Sequence, residues 1–320
     1  MKDTYRRNIN YLRISVTDLC NLRCKYCMPE AGVEKIQHGD VLSIEEIITI
    51  AKESAALGIR KVRITGGEPL VRKGIIDLVE GISGIEGIED VAMTTNGLLL
   101  KKYGKDLKKA GLNRVNISID SLDPDKYRKI TRGGEVQQVL EGIEEALTLG
   151  LVPVKLNTVI VGGENEEDIL KLMNLTKIYP IDVRFIELMP IGQASSWSKE
   201  HFISNEEVRS RVPELLPLNQ EIGSPAKYFK LPEAKGRVGF IDPISSHFCG
   251  ECNRLRVTFD GKLKPCLHSS QEIDLLPALR NNEGSLKKLL TEAIVSKPEK
   301  HYLDTEEYEI ITRNMSQIGG

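Results

Sequence analysis

At 320 residues, with 40% apolar and 28% charged side chains, the chain can bury a sizeable core and has the composition of an ordinary globular protein. Its 44 basic and 46 acidic residues leave a formal charge of −2, so no global positive field favours nucleic acid, and an anionic ligand needs a local cluster of Arg and Lys. The opening MKDTYRRNIN lacks the apolar stretch of a secretory signal, and no run of about 18 apolar residues offers a membrane span. The expectation is a cytoplasmic protein with no membrane and no nucleic-acid partner, in a compartment where thiols stay reduced.

The first two thirds of the chain alternate. β-rich runs fall at NYLRISVT (10–17), RKVRIT (60–65), DVAMTT (90–95), NRVNISI (113–119), VPVKLNTVI (152–160) and DVRFIEL (182–188). Helical patterns lie between them. In SIEEIITIAKESAALG, Ile44, Ile47, Ile48 and Ala51 share a face, and Ser43 with Glu46 makes a capping box. EVQQVLEGIEEALTLG ends at Gly150, which suits a helix C-terminus. Strands alternating with helices predict parallel βα units. Six strands are fewer than the eight of a closed barrel. The α/β fold expected over residues 1–190 is therefore an incomplete (βα)6 TIM-type barrel; a doubly wound sheet fits the periodicity equally.

From about Pro190 the rhythm gives way to turn-rich segments, short strands near 237–241 and 254–260, and a helix near 284–296. For residues 191–320 the expectation is a smaller C-terminal α+β module that closes the barrel's open side. The unusual residues of the first part all follow predicted strands: CNLRCKYC the first, GGEP (66–69) the second, TTNG (94–97) the third, SIDSLDP (118–124) the fourth and MPIG (189–192) the sixth. These are the carboxyl ends of parallel strands, where βα architectures put their active sites.

All six cysteines fall into two groups, Cys20, Cys24 and Cys27, then Cys249, Cys252 and Cys266. Grouped thiols in a reducing setting point to metal or redox chemistry rather than structural disulfides. CxxxCxxC lets three thiolates point inward from one tight loop. Iron–sulfur clusters usually take four, so three leave one iron open, and an open position is where a metal site binds substrate. Zinc and simply buried thiols are the alternatives, although zinc ribbons tend to use paired CxxC knuckles. The second group could be three quarters of a zinc site with His247 or His268 as fourth ligand. Against this, Arg254 and Arg256 share one face of a predicted strand, and two guanidiniums beside a site short of one ligand suit an anionic substrate. The five histidines show no metal spacing such as HExxH.

CNLRCKYC resembles the signature of the radical S-adenosylmethionine (SAM) enzymes, including the aromatic Tyr26 before the third cysteine, and GGEP resembles that family's glycine-rich segment. LRISVTDLC, RITGGEPL, TTNG, RFIELMPIG, CNRLR, DGKL and the final IGG together resemble the GTP 3′,8-cyclase family of molybdenum-cofactor biosynthesis, from about Asn10 to Gly320. Leu19 is often basic in that family, and segments 215–235 and 270–305 match loosely.

The resemblance implies an enzyme with two 4Fe–4S clusters and SAM. Cys20, Cys24 and Cys27 would hold the cluster that chelates and cleaves SAM, with Tyr26, Gly67, Ser118 and Met189 contacting SAM. Cys249, Cys252 and Cys266 would hold a second cluster that binds the guanine of GTP. Arg13, Arg63, Thr94, Lys155, Arg254 and Arg256 would line the GTP site, and Arg254, Arg256, Gly319 and Gly320 would act in catalysis. The implied reaction is removal of the C3′ hydrogen of GTP by a 5′-deoxyadenosyl radical, then attack on guanine C8 to give (8S)-3′,8-cyclo-7,8-dihydroguanosine 5′-triphosphate. It also implies a homodimer, a reductant such as flavodoxin or ferredoxin, and delivery of product to cyclic pyranopterin monophosphate synthase. A basic residue in a strand pattern usually sits on a solvated outer face. A barrel interior reverses that preference for Arg13, Arg63 and Lys155, because a charge there is costly without an anionic partner. Two competing readings are another two-cluster radical SAM enzyme, such as a peptide maturase, and a zinc-stabilised nucleic-acid-binding module.

Overall fold

The computed structural model describes the chain except residues 35, 222, 282, 302–310, 312 and 320. Strand and helix alternate through β1 (Tyr11–Ser15), α1 (Ile44–Ala56), β2 (Lys61–Thr65), α2 (Ile75–Ser83), β3 (Asp90–Thr95), α3 (Leu100–Lys109), β4 (Arg114–Ser118), α4 (Pro124–Thr131), α5 (Val136–Thr148), β5 (Lys155–Ile160), α6 (Ile169–Ile178) and β6 (Asp182–Glu187). There follow α7 (Asn205–Ser210), β7 (Leu216–Pro217), β8 (Ala226–Lys230), β9 (Arg237–Ile241), β10 (Arg254–Val257), β11 (Lys262–Lys264), β12 (Ile273–Asp274), α8 (Leu276–Arg280), α9 (Leu286–Val295) and α10 (Met315–Ile318).

Local chemistry sets several of these boundaries. Ser43 Oγ accepts from the Glu46 N–H at 3.2 Å while the Glu46 carboxylate accepts from the Ser43 N–H at 2.7 Å, so the expected capping box starts α1. Asp123 accepts from the Asp125 and Lys126 N–H groups, each at 3.0 Å, with Pro124 in the first turn of α4. α5 stops where Gly150 takes a left-handed φ of 64°.

Among the described residues, twelve strands form one sheet in the order β12-β11-β10-β1-β2-β3-β4-β5-β6-β9-β8-β7. β1 to β6 are parallel and pair in chain order. A doubly wound sheet reverses its strand order at a switch point. This sheet does not, so the TIM-like reading holds and the doubly wound alternative is excluded. Among the described residues, the short strands of the last third form no separate sheet. β10 pairs in parallel with β1, and β9 in parallel with β6, so eight parallel strands run from β10 to β9. Residues 242–253 connect these two flanking strands, and β7, β8, β11 and β12 add antiparallel extensions beyond them.

Period-two alternation then sorts the side chains. Leu12, Ile14, Val62, Ile64, Val91, Met93, Val115, Ile117, Leu156, Val183 and Phe185 are buried in one apolar core with Ile47, Ile50, Leu78, Leu107, Val139 and Leu172 of the helices. Each such side chain contributes roughly 1.5–3 kcal/mol by leaving water. The intervening strand residues face the other way, into a cavity. Among the described residues no helix is long and apolar enough to cross a membrane.

Candidate active site

The cavity measures about 470 Å³ and opens among the carboxyl ends of the parallel strands. Cys20, Cys24, Cys27, Cys249, Cys252 and Cys266 all line it. So do Tyr26, Gly67, Ser118 and Met189, and so do Arg13, Arg63, Thr94, Lys155, Arg254 and Arg256. Residues far apart in sequence are thus brought to one chamber. Gly319 meets it through Arg256, whose Nη1 donates to the Gly319 carbonyl at 2.6 Å. Gly320 lies outside the described residues.

The first cysteine loop is locked against the end of β2. The Gly67 N–H donates to Thr17 O at 2.7 Å and the Glu68 N–H to Leu19 O at 2.9 Å. A Cβ on Gly67 would collide with Leu19 O and come within 2.6 Å of Asp18 O, so only glycine permits this approach. Glu68, fully buried, accepts from the Leu70 N–H at 3.0 Å, Thr95 Oγ1 at 2.8 Å and the Asn96 N–H at 2.7 Å, which ties the β2 and β3 ends together. Tyr26 donates its hydroxyl to Asp120 Oδ2 at 2.7 Å. Burial pushes the Asp120 carboxyl up to about 6, and the Tyr26 bond opposes that. Burial also raises the first thiols, Cys20 to about 11 and Cys27 to about 12, with Cys24 well above its usual value. As free thiols they stay protonated, and a bound metal centre would displace those protons.

The second trio has a different electrostatic setting. Burial raises Cys249. For Cys252, burial is outweighed by the positive charges of Lys297 and Arg254, which bring the thiol down to about 7. Among the described residues no three His, Cys, Asp or Glu side chains are gathered to hold a single metal ion. Two sets of three half-buried thiols line the one cavity, and thiolates are the ligands that iron–sulfur clusters use.

On the same cavity wall runs a row of cations fixed by strand register. Arg256 of β10 pairs with Arg13 of β1, which pairs with Arg63 of β2, so three guanidiniums stand side by side at a strand spacing of about 4.8 Å. Burial first, then Arg256, holds Arg13 well below its usual value. Burial first, then Arg254, brings Arg256 down to about 10. Among the described residues Arg63, Arg184, Arg254 and Arg256 form no ion pair with a carboxylate, although all are at most 9% exposed. Lys155 donates to the Tyr228 hydroxyl at 3.2 Å and, among the described residues, its one carboxylate partner is Asp182, loose at 3.7 Å; burial followed by Arg184 brings it down to about 8. Clustered cations short of counter-ions form a ready-made polyanion site.

Three participants escaped the sequence reading. Arg184 of β6 lines the cavity and donates to Asn157 Oδ1 from Nη2 at 2.6 Å and from Nε at 3.0 Å. Tyr11 of β1 accepts from Arg63 Nε. Burial alone would raise this phenol, but Arg63 and Arg13 outweigh it and bring it to about 7. Lys297 stands beside the second trio. For Arg184 a signal existed: in DVRFIEL it alternates with Val183 and Phe185 as Arg13 alternates with Leu12 and Ile14.

Residues 14–176 match the Radical SAM superfamily and residues 181–303 match Molybdenum Cofactor Synthesis C. The chain is similar to proteins named GTP 3′,8-cyclase. It is 63% identical over 320 residues to the one from Alkaliphilus metalliredigens (strain QYMF) and 62% identical to that of Alkaliphilus oremlandii (strain OhILAs), covering 100% of each chain. The Peptoclostridium acidaminophilum enzyme is 53% identical, with 99% of this chain and 98% of that one covered. Among solved structures, Streptococcus suis SuiB bound to S-adenosylmethionine superposes with a TM-score of 0.60 at 14% identity, over 98% of this chain and 76% of that one. SuiB bound to its precursor peptide SuiA gives 0.62 at 15% identity, with the same coverage. At that identity the likeness is one of fold.

Proposed function

The chain belongs to the GTP 3′,8-cyclase family of the radical SAM superfamily, and from that premise we propose that it converts GTP to (8S)-3′,8-cyclo-7,8-dihydroguanosine 5′-triphosphate, the first step of molybdenum-cofactor biosynthesis. The observation that carries this reading is the register-fixed row Arg256–Arg13–Arg63 lying in the same cavity as both thiol trios. A nucleoside triphosphate is the polyanion such a row suits, and a guanidinium fork matches phosphate oxygens in pairs.

In this reading Cys20, Cys24 and Cys27 hold one 4Fe–4S cluster and Cys249, Cys252 and Cys266 a second. Once bound and reduced, the first cluster with SAM supplies a 5′-deoxyadenosyl radical for abstraction at C3′. The protein's own work is binding, orientation and dryness. Tyr26, Gly67, Ser118 and Met189 bound the SAM side of the chamber. Arg13, Arg63, Thr94, Lys155, Arg254 and Arg256, with Arg184 added, hold the triphosphate so that C3′ and C8 react within one rigid frame. Effective molarities of roughly 10⁵–10⁸ M indicate what such orientation can contribute. Gly319 lies beside Arg256, where a small residue permits close approach, and Gly319 and Gly320 act in catalysis in this reading.

Residues 1–190 serve as the barrel core, and residues 191–320 bring the second cluster and the tail and close the open side. The change of matching family between residues 176 and 181 supports that division. We further assign a homodimer, a low-potential reductant of the flavodoxin or ferredoxin kind, and delivery of product to cyclic pyranopterin monophosphate synthase. Reduced anaerobic protein incubated with SAM and GTP tests the activity: 5′-deoxyadenosine that forms only when GTP is present supports it, and GTP-independent or absent formation rejects it.

A further inference from the structure

A buried ammonium sits beside the second thiol trio, and among the described residues no carboxylate answers it. Lys297 follows the C-terminal end of α9, which packs on α1 and β11. It is 2% exposed and, among the described residues, forms no ion pair. Its Nζ donates to Arg254 O at 2.9 Å and to Pro265 O at 2.7 Å. Arg254 is two residues after Cys252, and Pro265 immediately precedes Cys266. One side chain therefore staples the two separate stretches that bring the trio together. An ammonium has three donors; two are on these carbonyls, and its charge acts on the nearby Cys252 thiol.

The segment carrying Lys297 is itself tied down from the N-terminus. Arg7, paired with Asp3 at 2.6 Å, donates to Cys249 O at 2.8 Å, Pro298 O at 2.7 Å and Glu299 O at 2.9 Å. Residues 297–299 and the CxxC loop are thus held in one fixed relation. Among the described residues Lys297 is answered by carbonyls and by no carboxylate, which is costly for a buried cation, and the anion that would balance it on this wall is a thiolate-ligated cluster.

We propose that Lys297 is a positioning residue for the second iron–sulfur cluster, bracing its two ligand segments and raising its reduction potential through its buried positive charge. This rests on the two-cluster reading above. A nearby positive charge favours the more reduced, more negative state, and hydrogen bonds to sulfur and local charge are the protein's means of setting such potentials.

The test is an EPR-monitored redox titration of anaerobic holoprotein, wild type against Lys297→Met and Lys297→Arg, following the cluster whose signal changes on adding GTP. If no signal in wild type responds to GTP, the two-cluster reading fails and this inference falls with it. Given a responding cluster, Lys297→Met is expected to shift its reduction equilibrium at least tenfold toward the oxidised form, about 59 mV for one electron. Lys297→Arg should restore most of that shift, and the other cluster should not move. An unchanged midpoint in folded Lys297→Met overturns the proposal. Should the methionine variant fail to fold, wild type labelled with heavy-nitrogen lysine gives a second readout. A nitrogen coupling to the GTP-responsive cluster that disappears in Lys297→Arg supports the placement of Lys297 beside that cluster, and its absence in wild type overturns it.

Discussion

The Arg256 guanidinium donates to the Gly319 carbonyl at 2.6 Å, so the penultimate residue of the chain is held by the same arginine that stands in register with Arg13. The approach to this position is built in detail. Arg313 lies at 2.9 Å from Asp260 and 2.7 Å from Glu272, Asn314 and Gln317 cap α10 reciprocally, and Met315 lines the cavity. The tail therefore meets the chamber at the cation row.

Gly319 takes a φ of 84°, and a Cβ there would strike Thr65 Oγ1 and come within 3.1 Å of Ser15 Cβ. Gly319→Val is expected to lower cyclisation at least ~100-fold, the cost of misplacing a site by about an ångström. Deleting Gly319 and Gly320 should abolish cyclisation while both clusters and the thermal transition survive. Turnover assays with iron counts on the same samples check this; normal activity of the truncated protein counters it.

Arg184 belongs with the triphosphate ligands in this account. Arg184→Met should weaken GTP binding roughly 10- to 100-fold, the scale of one or two charge-assisted hydrogen bonds. SAM affinity should not change. Calorimetric titration of each ligand separates these outcomes.

GTP affinity should fall as pH rises. Lys155, brought to about 8 by burial and Arg184, loses its charge through that pH, and Tyr11, at about 7, gains a negative one. A bound triphosphate restores the ammonium and reprotonates the phenol, so binding takes up protons over about pH 7 to 9. Calorimetry in buffers of different ionisation enthalpy measures the uptake, and Lys155→Arg should reduce it. For folding, the sign follows from a folded value below the ordinary ~10.4 of lysine. Lys155 opposes stability fully below pH 8, and that opposition is relieved as pH climbs toward the unfolded value.

Glu68 accepts three hydrogen bonds on its two carboxylate oxygens, and no amide can accept on both sides. Glu68→Gln turns an NH₂ toward a donor and should destabilise the fold by about 1–3 kcal/mol, a loss that thermal or urea denaturation would register. Burial lifts this carboxyl to about 7. Because the folded value is raised, its contribution is greatest below the ordinary carboxylate range and is lost as pH rises through 7. The deficit of the glutamine variant should accordingly change across that window.

The barrel was readable because each parallel strand of the first part carries its own apolar run and is followed by its own helix, so local periodicity encodes both. The thiol trios were readable from spacing. The places of β9 and β10 were not, since RVGFI and RLRV carry no local mark of pairing in parallel with strands as distant in sequence as Tyr11–Ser15. Arg184 went unread for a related reason: a lone basic residue in a strand is assigned outward until the sheet is known to curve around a cavity. Lys297 lies in the polar run KPEK, where nothing local separates a buried ammonium from a solvated one.

The central claim is that two iron–sulfur clusters face one nucleotide chamber, and metal analysis of anaerobically purified protein tests it most directly. Two four-iron clusters predict about eight iron and eight sulfide per chain, falling to about half when Cys249, Cys252 and Cys266 are replaced by Ser. Zinc in place of iron, or an iron count unaffected by that replacement, would contradict it.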